Sequence, residues 1–130
     1  MSLSFRVYGV PVAKGSMRAF VHNGKPILTT SAKGLGEWSQ KVAGAVPRGQ
    51  TISPEAAVMI SITFFLQPPK SLKKIVAHTK RPDVDKLARG VLDALTGILW
   101  GDDSQVMTLV ARKGYAMNEP PGAIITVDYI

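Results

Sequence analysis

The stretch that decides the fold runs from Asp83 to Val106, DVDKLARGVLDALTGILWGDDSQV. Its middle carries Leu87, Val91 and Leu95 at intervals of four, with Ala88 and Leu92 beside them. That spacing predicts an amphipathic helix over Asp85–Gly97, with Gly97 as its C-terminal stop. Asp83 and Asp85 stand at its start, and the turn Gly101-Asp102-Asp103-Ser104 follows it. The helix would span ~18 Å at ~1.5 Å per residue. The two acidic groups therefore meet only if the chain after Gly97 folds back along the helix, and the apolar Ile98-Leu99-Trp100 suits such a return. Steps of ~100° per residue also place Asp85, Arg89 and Asp93 within about 80° on the polar side.

Upstream, Leu3–Gly9 reads as a strand ended by Gly9 and Pro11. Arg18–Thr30 reads as a hairpin turning at His22-Asn23-Gly24-Lys25, since Asn-Gly supplies the positive φ angles of a two-residue turn. Ser31–Val46 holds Leu35, Trp38, Val42 and Val46 at helical spacing. Ala56–Leu66, rich in β-branched and aromatic residues, is predicted to be a long, largely buried strand. Residues 67–81 are basic and hold two prolines, as in a loop or short helix. Val106–Tyr115 and Ala123–Ile130 close the chain as strands. The order β, β-hairpin, α, β, α, β, β predicts a single α+β domain over residues 1–130, with two main helices packed on a mixed sheet.

The 130 residues are 45% hydrophobic and 19% charged, an ordinary globular balance that excludes a disordered chain. There is no cysteine, so disulfides and thiolate metal sites are excluded. No apolar run approaches the ~18 residues of a membrane span. No secretory pattern opens the sequence, and a cytoplasmic protein is expected. Sixteen Lys and Arg against nine Asp and Glu give a net charge of +7. Five of those acids lie between Asp83 and Asp103, so the rest of the chain is strongly basic. A basic body around an acidic focus suits an enzyme that grips a polyanion and holds metal at one point.

If Asp83, Asp85, Asp102 and Asp103 converge, they repel one another unless cations sit among their oxygens. Hard oxygen ligands select Mg²⁺, or Mn²⁺ in its place. Phosphodiester hydrolysis uses such a site: one ion lowers the pKa of the attacking water, and a second, ~3.5–4 Å away, stabilises the leaving 3′-oxygen. Arg89 would offset charge developing on the phosphate. Each piece also has a plainer reading. Asp83 or Asp85 serves as a helix N-cap, Asp102-Asp103 as a solvated turn, and Asp85, Arg89 and Asp93 as i,i+4 surface pairs. Other chemistries fail on spacing. Leu87 and Ala88 stand where an EF-hand needs an oxygen ligand and a glycine. Gly9–Ser16 has Lys and Gly in the wrong order for a phosphate-binding P-loop, and His22 and His78 lack zinc spacing.

At these residues the chain resembles the RusA family of Holliday junction resolvases. The likeness centres on Lys80–Leu87, continues through Arg89–Gly97 and closes on Asp102–Val106; a weaker match is Gly9–Gly15, where the family carries Pro-x-x-Lys-Gly. The resemblance implies a small homodimeric, Mg²⁺-dependent endonuclease that acts on branched DNA and nicks four-way junctions symmetrically, as in recombination and repair. It places the essential aspartates on Asp83, Asp85 and Asp103, with Asp102 auxiliary. Lys14, Gly15, Arg18, Lys80, Arg81 and Lys86 would line a DNA-binding groove that contacts phosphates, and Lys70, Lys73 and Lys74 would extend it. Two departures stand out. Arg89 replaces a lysine, which keeps the charge but removes a proton donor near neutrality, and Lys86 replaces an asparagine. Two alternatives remain open: a binding protein of the same fold that does not cut, and a metal-dependent nuclease acting on another nucleic-acid structure.

Overall fold

The computed structural model describes the whole chain except residues 16, 31 and 32, and of residues 17–20 and 28–30 the backbone alone. Strand β1 spans Ser2–Tyr8, and the hairpin strands β2 and β3 span Met17–His22 and Lys25–Thr30. Helix α1 spans Leu35–Ala45, strand β4 Val58–Leu66, and helix α2 Val84–Leu95. A 3₁₀ turn over Asp103–Gln105 leads into β5, Val106–Tyr115, and the chain closes with β6, Gly122–Tyr129. Residues 67–83 form a connection without a helix, so the loop alternative holds there.

Four strands form one sheet in the order β1-β6-β4-β5, and the hairpin stands apart as a two-stranded sheet. Only β4 and β5 run parallel, joined across α2, which makes the sheet mixed. Burial along β4 alternates without a break: Val58, Ile60, Ile62, Phe64 and Leu66 are buried, and the residues between them are half-buried. The hydroxyls of Ser61 and Thr63 at the alternate positions fit this arrangement, in which both helices cover one face. The buried residues of β1, β4 and β6 join Trp38 and Val42 of α1 and Leu87, Ala88, Val91 and Leu95 of α2 in a single core.

Local chemistry sets the element ends. Asn23 and Gly24 have φ of 52° and 75°, and His22 pairs with Lys25 across them, the two-residue turn expected from Asn-Gly. Helix α1 starts at Leu35, since Gly34 adopts φ 79° and ψ 0°, which a right-handed helix cannot include, and the expected start at Ser31 lies outside the described residues. Helix α2 stops at Leu95, and Gly97 takes φ 85° two residues later.

The segment after α2 departs from expectation. Ile98-Leu99-Trp100 does not carry the chain back along the helix. Leu99 and Trp100 are buried, the Leu99 amide donates to Leu95 O at 2.9 Å, and the Gly97 amide donates to Trp100 O at 2.6 Å. The apolar trio thus seals the C-terminal end of α2, where a compact turn buries two large side chains at once. The return is made later by β5, which begins at Val106 and brings Lys113 to the start of α2.

Candidate active site and nucleic-acid cleft

The start of α2 is held by two separate parts of the chain. The Lys14 amide donates to Lys86 O at 3.0 Å, fastening the segment after β1 to the first turn of the helix. The same segment passes close over Gly90, where a Cβ would lie 3.4 Å from Val12 O. From the other side, Lys113 Nζ donates to Pro82 O at 2.8 Å and to Lys80 O, tying the segment before the helix to β5. Lys113 stands opposite buried Phe64, on the side of β5 that faces the helices. A lysine on the apolar side of a strand was the available signal for this role, and sequence reasoning missed it.

These ties shape a cleft of about 480 Å³ lined by Ala13, Lys14, Gly15, Arg81, Pro82, Asp83 and Lys86. Four of the six residues expected to contact DNA, Lys14, Gly15, Arg81 and Lys86, therefore surround Asp83, although some 70 residues separate the two motifs. Lys80 does not line the cleft, and its carbonyl is occupied by Lys113. The side chain of Arg18 lies outside the described residues. Lys70, Lys73 and Lys74 are exposed on the 67–83 connection.

Asp83 occupies the N-cap position of α2 without using its side chain to cap the helix. Its carboxylate is half-exposed and lies 3.6 Å from Lys86 Nζ, leaving oxygen lone pairs open toward the cleft. Asp85 is exposed in the first turn. The plainer N-cap reading thus holds for the backbone position of Asp83 and not for its carboxylate. Arg89 is exposed and, among the described residues, has no ion-pair partner. Asp93 pairs with Lys14 at 2.6 Å, so the expected i,i+4 pairing along this face is absent. The Lys14–Asp93 contact was not foreseen, because it depends on the path of residues 12–15 over Gly90.

The second acidic pair lies at the far end of α2. Asp102 caps the 3₁₀ turn: its Oδ1 accepts from the Ser104 amide at 2.9 Å, which holds its carboxyl below the ordinary carboxylate range. Gln105 Oε1 accepts from the Gly101 and Asp102 amides, while its Nε2 donates to Ser53 O and Ala56 O. All four contacts of this amide fix the acidic turn against the loop before β4. Asp103 is exposed and bonded to the hydroxyl of Thr96, the C-cap of α2. That hydroxyl accepts from Trp100 Nε1 at 3.1 Å and has one proton to share between Asp103 and Leu92 O.

Asp83 and Asp85 thus stand at one end of a 12-residue helix and Asp102 and Asp103 at the other, about 18 Å away along its axis. Among the described residues no three acidic or histidine side chains gather closely enough to hold a metal ion. The convergence that the sequence made conditional on a fold-back does not occur within one chain. What one chain does provide is an acid-bearing cationic cleft at the helix start and an exposed carboxylate at the helix end.

Comparison with known proteins finds a family match that covers the stretches holding both motifs. The endodeoxyribonuclease RusA family matches residues 9–128, from the first glycine of the N-terminal segment almost to the end of β6. A Bacillus subtilis (strain 168) protein described only as uncharacterized protein YqaN is 34% identical over 127 residues, covering 88% of each chain. No helix is long and apolar enough to cross a membrane among the described residues. With the match spanning nearly all of the fold just described, the chain belongs to the RusA endodeoxyribonuclease family.

Proposed function

We propose that this protein is a Mg²⁺-dependent endonuclease that resolves four-way DNA junctions by paired symmetric nicks, acting as a homodimer. The observation that carries the reading is the division of the acids between the two ends of α2, with Lys14, Arg81 and Lys86 lining the cleft around Asp83 at the helix start. A single chain holds half of a divalent-ion site at each end. A two-fold axis crossing α2 near its midpoint sets the helix start of one subunit beside the helix end of the other. Asp83 and Asp85 then meet Asp103 of the partner subunit, and this happens twice. Two complete sites per dimer match a substrate with two strands to cut.

A divalent ion bound by these carboxylates supplies Lewis-acid activation of water and of the scissile phosphate. The chain's own residues do the rest. Lys14, Arg81 and Lys86 hold backbone phosphates in the cleft, without reading base sequence. Arg89, one turn from Asp85 and free of ion pairing, offsets charge gathering on the phosphate oxygens. A guanidinium is a fixed cation, so the role assigned to Arg89 is to stabilise charge and not to donate a proton. Asp102, committed to its capping bonds, orients the turn that presents Asp103.

The edge strand β5, directly after Asp103, supports a contact between copies. Met107, Leu109 and Val110 are 62%, 43% and 45% exposed, apolar side chains on a strand at the edge of its sheet. The deciding experiment incubates the protein and Mg²⁺ with a labelled four-way junction and with linear duplex of the same sequence. Symmetric nicks in the junction alone are expected. Junction binding without cleavage overturns the enzymatic reading in favour of a binding protein. Equal cleavage of both substrates favours a nuclease of another specificity.

A further inference from the structure

The sheet has a second face, turned away from both helices and from the cleft. One row across it reads Tyr8, Gly122, Phe65, Gly114, and the next reads Arg6, Ile124, Thr63, Arg112. Tyr8 is 62% exposed, and Arg112 is exposed. Tyr8 and Phe65 are two strand spacings apart, about 10 Å. Between them no side chain fits on Gly122, because a Cβ would lie 2.0 Å from Val7 O. The Arg6 guanidinium sits there instead, 4.8 Å from the Tyr8 ring centre and 5.1 Å from that of Phe65. One of its nitrogens donates to Pro120 O at 2.8 Å, which fixes the group in place.

The result is a joined set of π surfaces, ring, guanidinium and ring, in which Tyr8 is exposed and Arg6 and Phe65 are half-buried. Arg112 lies three strands across from Arg6, and in these two rows there is no acid. A surface of this chemistry is matched by unpaired bases joined by phosphates. Every base has a π face to stack on aromatic or guanidinium planes, and the cations complement the backbone. A duplex does not suit it, since duplex bases already stack on one another. We propose that this open face binds single-stranded DNA, with bases on Tyr8, Arg6 and Phe65 and a phosphate at Arg112. DNA is the chosen polymer because of the family to which the chain belongs. The face is separate from the cleft, so the inference survives if junction cleavage fails.

The test measures fluorescence anisotropy of a labelled fifteen-residue oligothymidylate. It uses the Lys14→Ala/Arg81→Ala/Lys86→Ala background, which removes the cleft's cations. Binding is expected to persist there, and adding Tyr8→Ala is expected to weaken it about five- to a hundredfold. Tyr8→Phe restores binding, because it keeps the ring. Arg112→Ala is expected to make the slope of log K against log[salt] shallower by about 0.7. Thermal melts and size-exclusion profiles accompany each variant, and the exposed positions of Tyr8 and Arg112 keep folding intact. The proposal is overturned if the cleft variant binds no oligothymidylate, or if Tyr8→Ala with Arg112→Ala leaves affinity unchanged. It is equally overturned if those substitutions split the protein into smaller species, which would make the face a contact between copies.

Discussion

Three carboxylates and one guanidinium carry the proposed chemistry, and their surroundings separate functional from structural roles. Asp83 sits at an N-cap without capping, and Asp85 and Asp103 are exposed, so Asn substitutions remove little that holds the fold. Asp83→Asn, Asp85→Asn and Asp103→Asn are each expected to keep junction binding and to lower cleavage by orders of magnitude. Near-native cleavage by Asp103→Asn would shift the assignment to Asp102. Arg89 poses a question of size. A surface ion pair would be worth ~0.3–0.5 kcal/mol, and Arg89 makes none among the described residues. A cation acting on the transition state costs ~2.7–4 kcal/mol when removed, about 10²–10³ in rate. Single-turnover cleavage by Arg89→Ala is expected to fall by that amount, with unchanged melting and with activity largely kept by Arg89→Lys. A change within about threefold would remove Arg89 from the mechanism.

Elements decide where those residues stand. The 3₁₀ turn presents Asp103 through the capping bonds of Asp102 and the four-way amide of Gln105. Because folding lowers the Asp102 pKa, its ionised form stabilises the native state above the unfolded carboxylate value. That contribution is lost as pH falls through the lower folded-state value. Asp102→Ala is therefore expected to melt below wild type at neutral pH, with the gap closing as the solution is acidified through the carboxylate range. A gap independent of pH would assign the effect to something other than the carboxylate. Midway along α2, residues 12–14 pass over Gly90, a path that brings Lys14 to Asp93 and to the cleft.

On the scale of the whole molecule, one α2 separates what a pair of antiparallel α2 helices would unite. Mixing tests this. Asp83→Asn and Asp103→Asn homodimers are each expected to be inactive. A heterodimer of the two would place both lesions in one composite site and leave the other intact. Re-equilibrated mixtures are then expected to regain nicking of one strand per junction. If all the ligands came from one chain, mixing would restore nothing. Binding follows the cations: log K for junction DNA is expected to fall linearly with log[salt], by about 0.9 per phosphate contact. Arg81→Ala is expected to make that slope shallower by roughly one unit. Lys14→Ala is expected to remove less, since Asp93 already neutralises that ammonium in the free protein. Unchanged slopes for both would place the DNA path elsewhere.

Periodicity, turn chemistry and charge are local properties, and the sequence alone determined what depends on them. Leu87, Val91 and Leu95 marked α2, Asn23-Gly24 marked the hairpin, and Gly97 marked the helix stop, because each acts through bonds a few residues away. The acidic focus in a basic chain, and the motifs at Gly9–Gly15 and Lys80–Val106, were legible for the same reason. The tertiary structure alone decided which of these residues share a place. Ile98-Leu99-Trp100 had enough apolar surface either to run back along α2 or to seal its end. Burial of Leu99 and Trp100 at the helix terminus chose the second. That choice keeps Asp103 at Thr96, far from Asp83, while Gly90 and Lys113 draw Lys14 and Arg81 to the other end. Contacts between residues so distant in the chain depend on the packing of the complete core, and of these residues only Lys113, a lysine on the apolar side of a strand, left a local mark.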